Sequence, residues 1–325
     1  MIALLCALLA VPIFAQRLVL TGGAQTPFAY SERGDFFPVW TGGVLLDVGN
    51  NDSAAPVIHV FDETGQESTP IAVTIPGDDR IRIDHIARGA DGAYAFTSYT
   101  FSRTPRAATG GFVAWIPPDH QTINRINTGL YVPFMVTIAP DGTLWTVGVE
   151  IKDSRRGGDS SQHLIRHFDT KGTELGSFVP LSSFADGRGA GLTYGLIVSN
   201  KDRVGWYALH AQQYFEVTFD GKISSFAGID APMSATHVMG LALTDNGDVV
   251  VSTVSVKTSL SGTKRGKAGI FHLDRSSGAW VPLTMPSSVP QIPSWSRIYG
   301  ADGNRIAVAG AGRSGGWDLK FFELR

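Results

Sequence analysis

The chain has 325 residues, of which 43% are hydrophobic and 17% charged, with 38 Gly and 17 Pro. That balance is globular and rich in turns, and it excludes a disordered chain. A formal net charge of −2 excludes the overall basic field that draws a protein to nucleic acid.

Residues 1–15 form an apolar run without a single charge, followed by Gln16 and Arg17. The run is too short to span a bilayer comfortably and suits the apolar core of a signal peptide cleaved after Ala15. It departs from the usual pattern in having no Lys or Arg before it and Ile13 at the −3 position. Residues 1–15 are therefore expected to be a signal peptide. Residues 16–325 are expected to be one domain, periplasmic or secreted, with no stable membrane insertion after cleavage. The one cysteine, Cys6, lies inside the apolar run, and Leu5 before it does not fit a lipoprotein signal. The mature chain then has no disulfide, zinc thiolate or cysteine nucleophile.

Beyond Arg17 the chain repeats. A turn opens a strand at Gly42-Gly43, Asp91-Gly92, Asp141-Gly142, Asp202-Arg203, Asn246-Gly247 and Asp302-Gly303. The spacing, roughly 45–60 residues, is that of propeller blades. In each unit an apolar strand a leads into the turn, as in Pro133 to Ala139 or His237 to Thr244. Strand b follows, as in Leu144 to Gly148, then a variable loop. Strand c runs into a second turn, as in Val57 to Asp62, Leu164 to Asp169 and Gly269 to Asp274. Strand d closes the unit, as in Ile223 to Phe226. Gly and Asn belong at these turns because the backbone needs positive φ there. No stretch shows a capped stripe of 3.6-residue period, so helix is minor. The last unit stops at Arg325 after its strand c, while Arg17 to Thr21 is a strand without a unit. The two are expected to pair, so that the N-terminal strand completes the last blade and hides an open sheet edge. The predicted fold is all-β, a six-bladed β-propeller of four-stranded antiparallel blades.

Ile138-Ala-Pro-Asp-Gly-Thr-Leu-Trp145 with His167-Phe-Asp-Thr-Lys-Gly172, and Leu243 to Val249 with Phe271 to Asp274, resemble six-bladed propellers of the NHL type and their periplasmic relatives. The resemblance runs over essentially the mature chain. It implies the fold but no single activity, since binding modules, lyases, lactonases and scaffolds share it. Regucalcin-like lactonases and streptogramin lyases have this fold, but none of their metal carboxylates or catalytic histidines lines up with a motif here.

In such a ring the b–c and d–a loops share one face, and strand a lines the channel. The b–c loops carry Arg103 and Arg106, then Lys152, Arg155 and Arg156, then Lys257, Lys264, Arg265 and Lys267, then Arg313. Their acids are few: Asp52, Asp153, Asp159 and, at a strand end, Glu150. A cluster of this kind suits an anionic partner. The plainer alternative is a set of solvated loops. At the channel mouth, the starts of the a strands place Asp35 to Phe37, Asp84, His85, Phe134, Tyr194, His237, Trp295 and Arg297. Glu150 and His210 end b strands on that face. Aromatic walls with a few polar groups make a small-ligand pocket. Asp84, Glu150, His210 and His237 have the chemistry of a divalent-metal site or an acid–base set, Asp84, Glu150 and His237 for the metal and Asp84, His210 and His237 for catalysis. His59, His167 and His272, on c strands, read as blade-packing or outer-face residues, and Trp115, Trp145, Trp206 and Trp280 as blade-to-blade packing. Gly187 to Gly191 lacks the strand–helix setting of a phosphate loop.

The sequence thus points to an exported monomeric propeller that binds a protein or a small anionic ligand on the b–c face. The alternative is a hydrolase or lyase working at the channel mouth. A third class is a structural module docking to envelope proteins. No cofactor is expected, though a divalent cation is compatible with the mouth residues, and no nucleic acid is expected as a partner.

Overall fold

The structure is a computed structural model. It describes residues 16–31, 36–78, 80–99, 111–150, 161–184, 195–229, 236–259, 262–265, 269–284, 286, 297–312 and 315–325; at 99, 236–237, 255–259 and 262–265 it describes the backbone alone. The signal-peptide segment lies outside the described residues. Among them, no helix is long and apolar enough to cross a membrane.

The chain opens with β1 (Leu18–Gln25) and then builds six sheets. Blade 1 is β2 (Val39–Thr41), β3 (Val44–Gly49), β4 (Val57–Phe61) and β5 (Ile71–Ala72). Blade 2 is β6 (Ile83–Arg88), β7 (Tyr94–Tyr99), β8 (Gly111–Ile116) and β9 (Asn124–Ile126). Blade 3 is β10 (Tyr131–Ile138), β11 (Leu144–Glu150), β12 (His163–Phe168) and β13 (Glu174–Pro180). Blade 4 is β14 (Gly195–Ser199), β15 (Arg203–Ala208), β16 (Gln213–Thr218) and β17 (Ile223–Ala227). Blade 5 is β18 (Thr236–Leu243), β19 (Val249–Ser259), β20 (Gly262–Arg265), β21 (Gly269–Asp274) and β22 (Ala279–Pro282). Blade 6 is β23 (Arg297–Asp302), β24 (Arg305–Ala311) and β25 (Trp317–Leu324), completed by β1. The fold is a six-bladed β-propeller of four-stranded antiparallel blades. Among the described residues, its one helical element is the 3-10 turn Leu181–Ser183.

The predicted closure is present. Leu18 pairs with Leu324 and Gln25 with Asp318, and Arg17 and Arg325 exchange backbone hydrogen bonds of 2.8 and 3.0 Å. Leu18 is 1% exposed, buried between blades 5 and 6. Beyond β1 the chain crosses to blade 1. There the buried Asp47 carboxylate accepts hydrogen bonds from the Tyr30 N–H (2.7 Å) and from Trp317 Nε1 (2.9 Å). One carboxylate therefore joins the N-terminal segment, blade 1 and blade 6.

Blades are held together face to face. The core falls into six clusters, one between each pair of neighbouring blades. Strand alternation sets this up. On β7, Tyr94 and Phe96 pack toward blade 1 while Ala95 packs toward blade 3. Trp145 and Trp206 share the blade 3–blade 4 cluster and are fully buried, as the packing reading expects. The a–b turns behave as the sequence suggests. Gly92, Gly142, Gly247 and Gly303 have φ of 91, 82, 86 and 57°. Blade 4, which lacks glycine there, uses Asn200, whose Oδ1 accepts from the N–H groups of Asp202 and Arg203 at 3.1 and 3.0 Å.

One loop differs from expectation. The segment after strand b of blade 5 continues as a hairpin, with Lys257 opposite Lys264 and Val256 opposite Arg265. The run Thr253 to Ser259 alternates β-branched residues with Ser and Lys, which favours an extended strand over a loop.

Candidate functional site

The channel between the six a strands narrows to a waist of about 30 Å³, enclosed by residues of every blade from Trp40 and His85 round to Leu243 and Ala301. Above the waist, at the starts of the a strands, it opens into a chamber of about 640 Å³. This lies within the range of about 300–1,000 Å³ typical of small-molecule sites. Tyr131 pairs with Glu150, so strand a begins where strand b ends, and the chamber opens on the face from which the b–c loops leave.

The chamber is built by a repeated irregularity. In blade 2, Ile83 pairs with Ser98 and His85 with Thr97, leaving Asp84 as an extra residue. In blade 3 the extra residue is Phe134, in blade 5 Met239 and in blade 6 Tyr299. All four line the chamber. A bulge sets two residues against one and re-aims a side chain, and here it does so at the same level of four strands. The backbone groups at three of these bulges are satisfied from the preceding blade. Asn51 of blade 1 donates Nδ2 to the Ile83 carbonyl (2.9 Å) and accepts the Ile83 N–H (2.8 Å). Thr97 of blade 2 donates to the Phe134 carbonyl at 2.9 Å. Ser252 of blade 5 accepts the Ile298 N–H at 3.0 Å. These three bulges are thus tied to the neighbouring blade through a backbone group that a side chain satisfies.

Asp84 carries the most perturbed carboxyl of the site. Burial pushes it up to about 6, reinforced by Asp52 and opposed by Arg82, whose Nε lies 3.2 Å from Oδ1. Asp52 is itself ion-paired with Arg80. Beside Asp84, burial lowers His85 to about 4, against a hydrogen bond with the Val136 backbone, so the ring is neutral at physiological pH. Its buried Nδ1 has no partner among the described residues. Across blade 1, the Arg297 guanidinium lies 4.5 Å over the ring of Phe37, a residue 58% exposed. Burial pushes the Tyr299 hydroxyl up to about 12.

Of the residues named from sequence, Phe36, Phe37, Asp84, His85, Phe134 and Arg297 come together in this chamber. Glu150 lies off it, ion-paired to Arg166 on β12. The reason is its strand: β11 lies second from the axis, and its end faces strand c of its own blade. His210 sits exposed in the turn after β15, next to Leu209, which does line the chamber. The backbone of His237 pairs with Val254, one residue before the chamber-lining Val238. Lys264 and Arg265 lie on the blade 5 hairpin. Arg103, Arg106, Arg155, Arg156, Lys267, Arg313, Tyr194 and Trp295 lie outside the described residues, as does Asp35. Among the described residues, no three His, Cys, Asp or Glu side chains stand together as a metal site. The sequence reading missed Arg82, Leu209, Met239 and Tyr299. A signal for two of them was present: Val238-Met239-Gly240 and Ile298-Tyr299-Gly300 place a glycine inside a strand, a mark of a bulge or a close backbone approach.

No family model and no curated protein matches the chain. Solved structures do. A streptogramin B lyase aligns with 88% of this chain and 78% of its own at 14% identity and a TM-score of 0.47. A catalytically inactive virginiamycin B lyase from Staphylococcus aureus, with quinupristin, aligns with 95% of this chain and 100% of its own at 14% identity and a TM-score of 0.43. YjhT aligns with 94% of this chain and 97% of its own at 13% identity and a TM-score of 0.49. Likeness at this level carries no activity, substrate or residue role to the chain.

Proposed function

We propose that this propeller is a binding protein whose small-molecule ligand occupies the mouth chamber, on the face that also presents the basic b–c loops. The observation that carries this reading is the set of four bulges. Each adds a residue to a strand that would pair without it, and all four extra residues meet in one chamber. A rigid ring with an irregular mouth is how this architecture separates scaffold from recognition. Export to the periplasm or beyond is supported by residues 1–15, and a monomer by a closed ring whose last sheet edge is already paired.

The test uses the neutral fluorophore N-phenyl-1-naphthylamine and residues 17–325. Saturable binding with one site per chain is expected. Leu196→Trp and Met239→Trp, which add bulk to the wall, should each abolish it without lowering Tm. A second reading has one observation behind it: Asp84, a carboxyl held near 6 on the wall, is suited to proton transfer to or from a bound molecule. On that reading Asp84→Asn keeps binding and removes turnover of whatever substrate a screen identifies.

A further inference from the structure

Asp84 stands on the chamber wall with half of its carboxylate in use. Oδ1 meets Arg82 Nε at 3.2 Å, and among the described residues Oδ2 has no donor. Oδ2 is not one of the buried unpaired atoms of the fold, and the side chain is 24% exposed and lines the chamber. Its lone pairs are therefore open to a molecule held there. Asn51 grips both backbone groups of Ile83 beside it, so the position of this acceptor is set before any ligand arrives. The opposite side of the chamber is apolar. Adjacent a strands follow chain order round the ring and β23 closes against β2, which puts blade 5 across the channel from blade 2. Met239 of blade 5, Leu196 and Leu209 of blade 4 and Phe134 of blade 3 line that side. The charged groups of the wall are already engaged, Arg82 with Asp84 and Arg297 over the Phe37 ring. A charged ligand group would leave water for a chamber whose charges have partners, which is costly in apolar surroundings. An uncharged O–H or N–H escapes that penalty and gains a charge-assisted hydrogen bond.

We infer, on the reading that the chamber is a binding site, that its ligand is an uncharged, largely apolar molecule with one hydroxyl or N–H group, which donates to Asp84 Oδ2 while the apolar body lies on the Phe134, Leu196, Leu209 and Met239 wall. The donor orients the ligand across the channel, and the wall selects the body by apolar area. Asp84 is then the residue that sets specificity at the mouth. Its proton changes what it accepts. Below about pH 6 the neutral carboxyl can itself donate, so an ether oxygen serves as well as a hydroxyl. The charged and titratable groups around it are Arg82, Asp52 with its partner Arg80, and His85, with Arg297 and Tyr299 across blade 1. His85 titrates near 4 and Tyr299 near 12, both outside the range between pH 5 and 8.

The experiment compares four molecules with one body: 1-naphthalenemethanol, its methyl ether, 1-naphthylmethylammonium and 1-naphthoate. Each is titrated calorimetrically into wild type and Asp84→Asn at pH 5 and pH 8, with Tm measured to confirm that the variant folds. At pH 8 the alcohol is expected to bind wild type about tenfold tighter than the ether, and tighter than either ion. At pH 5 the ether should draw level with the alcohol. In Asp84→Asn, whose amide does not titrate, the ratio of alcohol to ether should be the same at both pH values. A ratio near one at pH 8, a wild-type ratio that does not change with pH, or a pH dependence that persists in Asp84→Asn overturns the role of Asp84 and leaves the chamber standing. Tighter binding of the ammonium or the naphthoate than of the alcohol overturns the uncharged ligand. Failure of all four molecules and of N-phenyl-1-naphthylamine overturns the chamber itself.

Discussion

Blades 2, 3, 5 and 6 carry a bulge in the strand that lines the channel; blades 1 and 4, which face each other across the ring, do not. The bulged blades reach the chamber with one extra residue in an otherwise regular strand. The two others reach it with what precedes or follows their strands: Phe36 to Pro38 ahead of β2, and Leu209 after β15 beside the ordinary register of β14. The difference shows how a ring of repeats acquires an irregular chamber. Inter-blade packing stays uniform, and one insertion per strand, at one level in four blades, turns a regular channel wall into an irregular chamber, the feature on which the proposed binding function rests. It also assigns the cost. Each bulge opens the ladder, and at three of the four a side chain from the preceding blade, Asn51, Thr97 or Ser252, takes up a freed backbone group.

The largest expected effect removes what both kinds of blade depend on. Deleting residues 17–22 strips most of β1 from blade 6 and exposes the edge of β25. The prediction is loss of the single cooperative unfolding transition, read by circular dichroism, and not a local defect.

Next is a change confined to a bulged blade. Gly300 sits at φ 143°, and a Cβ there would lie 2.1 Å from the Trp40 carbonyl oxygen of blade 1. Gly300→Ala must push two a strands apart and should lose about 3 kcal/mol in denaturant unfolding. Smaller again is the loss of one clamp. Asn51→Ala leaves both the N–H and the carbonyl of Ile83 unpaired at the Asp84 bulge, for about 2 kcal/mol, and should weaken probe binding by displacing Asp84.

The last effect matches the clamp's in size and has the opposite sign. Asp84 holds its proton to about 6 in the fold, against an ordinary value of 3.8. The stability this proton contributes is complete below about pH 4 and lost as the pH rises through about 6. His85 runs the other way: its folded value near 4, below 6.5, means stability is lost as the pH falls from about 6.5 toward 4. The two slopes oppose each other over that window. Asp84→Asn should raise stability at pH 8 by something on the order of 2 kcal/mol. The difference from wild type should vanish below about pH 4. A variant no more stable than wild type at pH 8 would mean that Asp84 is well solvated.

The architecture was legible because turn chemistry is local: Asp-Gly and Asn-Gly announce positive φ wherever they occur, and the unpaired N-terminal strand answers a missing strand d. The mouth was legible in part, since the starts of the a strands follow from the same frame, and Phe134, Asp84 and Arg297 were found that way. The bulges were not. A one-residue insertion leaves no mark in Ile83-Asp84-His85 or Pro133-Phe134-Met135, because register depends on the partner strand. Only the glycines after Met239 and Tyr299 carried a local sign. Glu150 was drawn toward the channel by its position at a strand end, whereas its direction is set by Arg166 on the neighbouring strand.

The central claim, that the bulged mouth is a binding site, is tested most directly by fluorescence titration of N-phenyl-1-naphthylamine into wild type and Met239→Trp, with Tm measured on both. One saturable site in wild type, absent in a variant that melts at the same temperature, is the predicted result. Undiminished binding to the folded variant would contradict it and place the probe elsewhere on the ring.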